Sequence, residues 1–222
     1  MDIKERFRRL FKPRFAVVYP FGIFVVFFSN SNDSSIMAGI WFIIAGLLIR
    51  LWANGYAVKM DKLTTCGPYA FVRHPLYVGT TFLVVGFIVM LRAYYAGALL
   101  LGAMIIIYYR TIKKEERLLK EKFKDTYLDY QAKVPAMIPT IFPYQQGEKW
   151  PFSLKRLTKS REYKVSIWLT IIIIAFHLKD ELLMEHEKFS LRMLGLIMIA
   201  FALAILDLVS ELLKTKHKNT ST

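Results

Sequence analysis

Six apolar stretches divided by charged ones restrict this chain more than any other feature. They are roughly Phe15–Phe28, Ile36–Tyr56, Leu76–Leu91, Ala93–Tyr109, Tyr163–Leu178 and Leu191–Val209. A bilayer span needs about 20 apolar residues and about 17 at the least. The second, fourth and sixth stretches meet that length, and the first, third and fifth are short. Leu76–Tyr109 is too long for one crossing, and Arg92 near its middle fits a tight turn, so the stretch reads as a helical hairpin. With 55% hydrophobic residues in 222, the expected fold class is all-α. It is a polytopic integral membrane protein of about six transmembrane helices with a cytoplasmic amphipathic helix, and residues 1–222 form a single membrane domain. The N-terminal apolar stretch holds Pro20 and Gly22 and runs into "SNSNDSS" rather than a small-residue cleavage site, so it reads as a retained span.

Charge sets the orientation. Residues 1–14 carry six Lys/Arg, the loop Ala57–Pro75 adds Lys59, Lys62 and Arg73, and Arg110–Lys164 holds fourteen more. "SNSNDSS" has none, the Arg92 turn has one, and Lys179–Ser190 has two against four acids. Basic loops face the cytoplasm, so both termini and the loops flanking the hairpin are expected inside. The net charge of +14 on so apolar a chain points to anionic lipids at the basic loops rather than to nucleic acid. The single cysteine, Cys66, excludes an internal disulfide and a Cys-rich metal site, and no metal-ligand spacing joins His177 to His186.

The threshold of the third stretch, "CGPYAFVRHPLYVG", is unusually rich in polar groups. Gly67-Pro68 is a turn signal. Pro75 suits a first helical turn and biases His74 toward an extended backbone. The helix N-terminus beside Arg73 and His74 suits a carboxylate or phosphate. Tyr77 follows within the first turns, and Gly79 lets a ligand or another helix approach closely. An interfacial anchor, with a snorkelling Arg and a belt Tyr, uses the same residues.

Beyond the fourth stretch, "TIKKEERLLKEKFKDTYLDYQAKVPAMIP" places Leu118, Leu119, Phe123, Tyr127 and Tyr130 at helical spacing, an amphipathic helix leaving the membrane. Glu115 and Glu116 lie about 100° apart around its axis, so at most one aims straight at a site. A solvated face, with Glu116 and Lys120 as an i,i+4 pair, is the ordinary reading.

Together the two stretches carry a family resemblance. "GPYAFVRHPLYVG" resembles the Arg-His-Pro-x-Tyr-x-Gly motif of the integral-membrane methyltransferases that include isoprenylcysteine carboxyl methyltransferase and the phospholipid N-methyltransferases. "EERLLKEKFKDTYLDYQAKVPAMIP" resembles their partner motif, with order and separation matching across one hairpin. The resemblance implies an S-adenosylmethionine-dependent enzyme with its catalytic core at residues 64–142. Arg73 and Glu116 are then the catalytic candidates, and Arg73, His74, Pro75, Tyr77, Gly79, Glu115, Glu116, Tyr127 and Tyr130 the cofactor-binding ones. The acceptor is expected to be lipophilic and to enter from the bilayer.

Two departures stand out. About 80 residues follow a Val-Pro-x-x-Ile-Pro element that in the family falls near the C-terminus, and residues 163–213 form an additional helical hairpin. Lys133 stands where the carboxyl methyltransferases have arginine, without arginine's bidentate grip. The alternatives are a membrane reductase related to the sterol reductases, in which an acidic residue follows the glycine where this chain has Thr80, and a non-enzymatic scaffold or transporter. Arg50 and Asn54 lie one turn apart near the end of the second span; an arginine inside a span is a functional candidate, snorkelling to the interface uses it equally, and Asp207 and Glu211 are potential partners. The small residues Ala93, Gly97, Ala98 and Gly102 read as helix packing.

Overall fold

The first helix starts where its sequence supplies a cap. Asn32 accepts from the Ser35 amide at 2.8 Å, and Ser35 Oγ accepts from the Asn32 amide at 3.0 Å, so "NDSS" closes a reciprocal capping box. In the computed structural model, which describes residues 31–58, 62–160, 162–179, 181–182 and 190–219, helix α1 runs from this cap over Asp33–Tyr56. It has 24 residues, about 36 Å by helical rise. Its far end is closed by groups distant in sequence. Trp150 Nε1 donates to the Tyr56 carbonyl, and the Ser153 amide and Arg156 Nε both donate to that of Gly55. These donors satisfy carbonyls that a helix end leaves open.

Helix α2, Pro75–Met90, returns beside α1 along a seam of glycines. A methyl group placed on Gly46 would lie 2.7 Å from the Gly79 carbonyl oxygen, and one on Gly86 would lie 2.8 Å from that of Gly39. Two glycines seven residues apart on each helix thus let antiparallel backbones touch, the way small residues drive packing where no hydrophobic force acts between helices. At the opposite end of the seam Ser35 Oγ donates to the Met90 carbonyl. The ridge expected on the fourth stretch serves less. Gly97 meets Ile88, but Ala98 is exposed and nothing lies within 4 Å of a methyl on Gly102.

The expected hairpin is present. Arg92 turns the chain at φ 53° into α3, Tyr94–Lys133. Its apolar first half carries outward-facing Leu99, Ile105 and Ile106, and its charged second half extends beyond the apolar zone. The backbone leaves helical geometry at Lys124 (φ 45°, ψ −122°), so the amphipathic stretch is a broken helix rather than a continuous one. The break redirects its last turns, and Tyr127, Tyr130 and Val134 become a buried cluster with Leu63, Leu119, Phe123 and Tyr144 around it. Leu118, assigned to that face by spacing, is exposed instead.

Residues 134–153 are irregular, with several bends, and are followed by the short α4 (Leu154–Ser160), α5 (Glu162–Lys179) and α6 (Leu191–Asn219). Leu169 and Phe176 of α5 enter the core made by Ile43, Leu83, Met90 and Leu91, so the C-terminal hairpin braces α1 and α2. Asp207, a potential partner of Arg50, bonds Lys164 of α5 at 2.7 Å. The side chain of Glu211 lies outside the described residues.

The regular structure of the described residues is all helix, without a strand. Among the described residues two helices are long and apolar enough to cross a membrane, Ser34–Tyr56 and Tyr94–Lys133, and Pro75–Met90 is a shorter apolar helix. The stretch Phe15–Phe28 and residue His186 lie outside the described residues. A count of six crossings is therefore not established by the structure.

Candidate functional site

Both polar stretches converge where the C-terminal end of α1 and the N-terminal end of α2 meet the middle of α3. The backbone does much of this. The Arg73 amide donates to the Pro135 carbonyl at 2.9 Å and the His74 amide to that of Ala136 at 3.1 Å. The Thr140 amide donates to Phe71 and that of Tyr144 to Ala70, both at 2.9 Å. The Val-Pro-x-x-Ile-Pro element is thus laid along residues 70–74. Tyr130 Oη donates to the Tyr69 carbonyl at 2.6 Å, tying the last turn of α3 to the short 3₁₀ turn Gly67–Ala70.

Arg73 is held on nearly every side. Its Nε and Nη2 donate to Glu116 Oε1 at 2.9 and 2.6 Å. Its Nη1 donates to the carbonyls of Gln131, at 2.9 Å, and Val134. Glu116 also accepts from Gln131 Nε2 at 3.0 Å. Both side chains of the Arg73–Glu116 pair are about nine-tenths buried, with relative exposures of 10% and 12%. A fork held by one carboxylate and two carbonyls is strong and directional.

His74 sits between the glutamates, Nδ1 3.6 Å from Glu115 Oε2 and Nε2 3.4 Å from Glu116 Oε1. Two carboxylates favour the charged ring, yet burial outweighs them and holds the histidine below its ordinary value. It is therefore neutral near pH 7, with one N–H to give. Contacts of 3.4 and 3.6 Å fit a neutral ring better than a salt-bridged one. Glu115, half exposed, accepts from Tyr77 Oη at 2.8 Å.

These groups border a cavity of about 640 Å³, within the size range of small-molecule and cofactor sites. Arg73, His74, Pro75, Tyr77, Glu115, Tyr127 and Tyr130 lie on its wall. Glu116 does not line it and stands behind Arg73. Gly79 faces α1 rather than the cavity: a methyl there would lie 2.6 Å from Arg50 Cγ. Most of the anion-binding capacity expected of the α2 N-terminus is spent, since Pro75 has no N–H and the amides of Tyr77 and Val78 both donate to His74 O.

The wall also holds residues that spacing did not single out as site residues. Tyr69, Lys62, Thr80, Leu119, Tyr108 and Arg50 all line it. Tyr108 packs on Tyr77 with ring centroids 4.6 Å apart. Arg50 showed only the general signal of a charge inside a span. Tyr127 is fully buried, and its hydroxyl, though near the Arg73–Glu116 pair, makes no well-formed hydrogen bond. Burial raises the phenols of Tyr127 and Tyr130 well above the ordinary value, so both stay protonated donors. A buried hydroxyl without a partner at a cavity wall is costly and fits a site shaped for a polar ligand. Lys133 lies off this wall, bonded to Asp129 at 2.6 Å and to Gln146. Among the described residues, no group of three or more His, Cys, Asp or Glu is placed to hold a metal ion.

Residues 34–126 match the phospholipid methyltransferase family. The chain is 29% identical over 134 residues to a cobalt-zinc-cadmium resistance protein of Cupriavidus metallidurans, covering 58% of this chain and 61% of that one. It is 30% identical, over the same length, to a nickel-cobalt-cadmium resistance protein of Alcaligenes xylosoxydans, covering 58% and 62%. To the protein-S-isoprenylcysteine O-methyltransferase of Schizosaccharomyces pombe it is 37% identical over 83 residues, covering 37% and 35%. The chain thus spans about three fifths of the length of the first two relatives and about a third of the transferase. No solved structure matches it. Over residues 34–126 the chain is thus similar to the integral-membrane methyltransferases that include the phospholipid and isoprenylcysteine enzymes.

Proposed function

We propose that this protein is an S-adenosylmethionine-dependent methyltransferase of the membrane, acting on a lipophilic acceptor that reaches the cavity from the bilayer. The observation that carries the reading is the cavity itself. Both family-like stretches meet at one wall, with a half-exposed carboxylate at Glu115, a partnerless phenol at Tyr127 and further tyrosines at 69, 77, 108 and 130. That donor set suits a nucleoside with a charged tail: aromatic faces for a flat base, phenols and a carboxylate for hydroxyls and an ammonium.

S-adenosylmethionine, when bound, supplies an activated methyl group. The chain's own residues orient, exclude water and handle a proton. Glu115 and Tyr77 offer an acceptor and a donor side by side, and Tyr127 offers its unspent hydroxyl. The Arg73–Glu116 pair fixes the wall from behind and joins α2 to the Val-Pro element, so its catalytic part is positional. Methyl transfer by direct displacement depends chiefly on such positioning and on a dry site. For an amine or thiol acceptor, neutral His74 on the wall can take the proton; a carboxylate acceptor needs no base.

Residues 64–142 form the catalytic core in this reading, and 163–213 are a supporting hairpin. The termini and the cavity face the cytoplasm, where the basic loops meet anionic lipid. Saturable binding of S-adenosylhomocysteine to the purified chain tests the proposal. NADPH binding in its place would favour the reductase.

A further inference from the structure

Ile138, Ile141 and Phe142, in the irregular segment after α3, are 79%, 87% and 82% exposed. Three large apolar side chains so bare and so close in sequence mark an interaction surface. None of them lines the cavity.

The segment that carries them is firmly tied down. The Arg73 and His74 amides donate to the Pro135 and Ala136 carbonyls, and the Thr140 and Tyr144 amides donate back to those of Phe71 and Ala70. Pro135, Pro139 and Pro143 have a fixed φ and no N–H. The Phe142 amide donates to Thr140 Oγ1 at 3.3 Å. With so many amides bonded or missing, this backbone leaves water at a reduced cost.

Its level is set by its partners. Residues 70–74, to which it is bonded, immediately precede Pro75, where the apolar α2 begins. Phe71, whose carbonyl holds Thr140, has its ring 6.4 Å from that of Trp52. Trp52 is exposed near the C-terminal end of α1, the kind of place where tryptophans mark a membrane–water boundary. Contacts thus run from a boundary tryptophan through Phe71 to the bare apolar side chains. The charge beside them complements anionic headgroups, since residues 131–160 carry five Lys/Arg against one acid.

We propose that Ile138, Ile141 and Phe142 form an interfacial wedge that dips into the lipid beside α1 and α2 and fixes the cavity wall at the membrane surface. The wedge goes beyond the methyltransferase reading and needs only that the long apolar helices cross a bilayer.

The test uses the full chain carrying Cys66→Ser, in nanodiscs of phosphatidylcholine and phosphatidylserine, with an environment-sensitive fluorophore attached through Ile141→Cys. Doxyl groups on the lipid chains should quench it at a depth of about 5–10 Å, that of interfacial elements. The same label attached through Glu121→Cys, on the exposed charged half of α3, should stay unquenched. Attached through Ile105→Cys, on the exposed apolar half, it should be quenched. With the label moved to Ile138→Cys, Ile141→Ser and Phe142→Ser together should abolish the quenching. Unfolding in detergent should not change, because both side chains are exposed. About 1 M salt, with a Debye length of about 3 Å, should leave the quenching in place.

A label at position 141 as wet as the one at 121 overturns the proposal. Quenching that vanishes in high salt does so too, by assigning the segment to charge attraction, as does quenching that survives the two serines. Energy transfer between labelled chains, without quenching by lipid, would overturn it by making this face an interface between copies. An unquenched label at position 105 would sink the membrane reading and the wedge with it, whatever the result with S-adenosylhomocysteine. Should Cys66→Ser not fold, Phe142→Trp in the otherwise unaltered chain must raise the share of tryptophan fluorescence quenched by brominated lipid. An unchanged share counts against the proposal.

Discussion

Arg73 and Glu116 lie 43 positions apart in sequence, yet their side chains meet at 2.6 Å with little exposure to water. The pair spends most of the arginine's donors inside the protein. Removing one partner leaves a buried charge uncompensated, which costs about 3–5 kcal/mol. Glu116→Ala and Arg73→Ala should therefore each destabilise the fold by roughly that amount. The double variant should lose clearly less than the sum. Denaturation in detergent, read as a double-mutant cycle, checks this, and strict additivity would show the pair to be uncoupled.

Glu115 should behave oppositely. Its carboxylate is half exposed and faces the cavity. Glu115→Gln is expected to leave the unfolding midpoint near wild type and to weaken S-adenosylhomocysteine by about tenfold or more, as when one charged hydrogen bond is lost. Isothermal titration of both proteins decides it.

Tyr127→Phe removes a buried hydroxyl that makes no well-formed bond. Deleting such a group does not destabilise and can stabilise. The ligand-free protein should unfold at the same temperature or higher, while S-adenosylhomocysteine binds more weakly. By contrast, Tyr130→Phe, which breaks the 2.6 Å bond to Tyr69 O, should cost about 1 kcal/mol.

His74 links stability to pH. Its folded value lies below the ordinary 6.5 because burial penalises the charged ring, so the unfolded chain binds more protons between the two values. Stability contributed by the neutral ring is present above about pH 6.5 and declines as pH falls toward the folded value. His74→Gln should flatten that decline. Unfolding midpoints between about pH 5 and 8 measure it, and an equal slope in the variant would rule His74 out.

The glycine seam gives a contrast within one fold. Gly86→Ala pushes a methyl to 2.6 Å from the Ile43 side chain and 2.8 Å from Gly39 O, an overpacking worth about 1–3 kcal/mol. Gly102→Ala meets nothing within 4 Å and should be neutral or gain up to about 1 kcal/mol of helix propensity. Melting of the two variants side by side settles whether the seam holds α1 to α2.

Much of this was legible in the sequence because it depends on local patterns. Apolar length marked the described long helices, Arg92 marked the hairpin turn, and the spacing of Tyr127 and Tyr130 put both on one buried face. The rest depends on contacts between distant residues. Nothing local says that Gly79 meets Arg50 rather than a ligand, or that Glu116 turns to Arg73 while Glu115 faces the cavity. A one-residue step around a helix separates those outcomes, and the break at Lys124, at an uncommon positive φ, has no marker such as Gly or Pro. The heptad spacing of Gly39, Gly46, Gly79 and Gly86 is a readable signal for the seam, whereas of the more closely spaced small residues near α3 only Gly97 and Ala93 pack and Ala98 and Gly102 do not.

The central claim is that the cavity between the two family-like stretches holds a methyl donor. Calorimetric titration of the full chain in detergent with S-adenosylhomocysteine, and in parallel with NADPH, tests it most directly. One saturable site for S-adenosylhomocysteine, weakened by Glu115→Gln and by Tyr127→Phe, with no heat from NADPH, is the predicted result. No binding of S-adenosylhomocysteine by folded protein, or binding of NADPH alone, would contradict it.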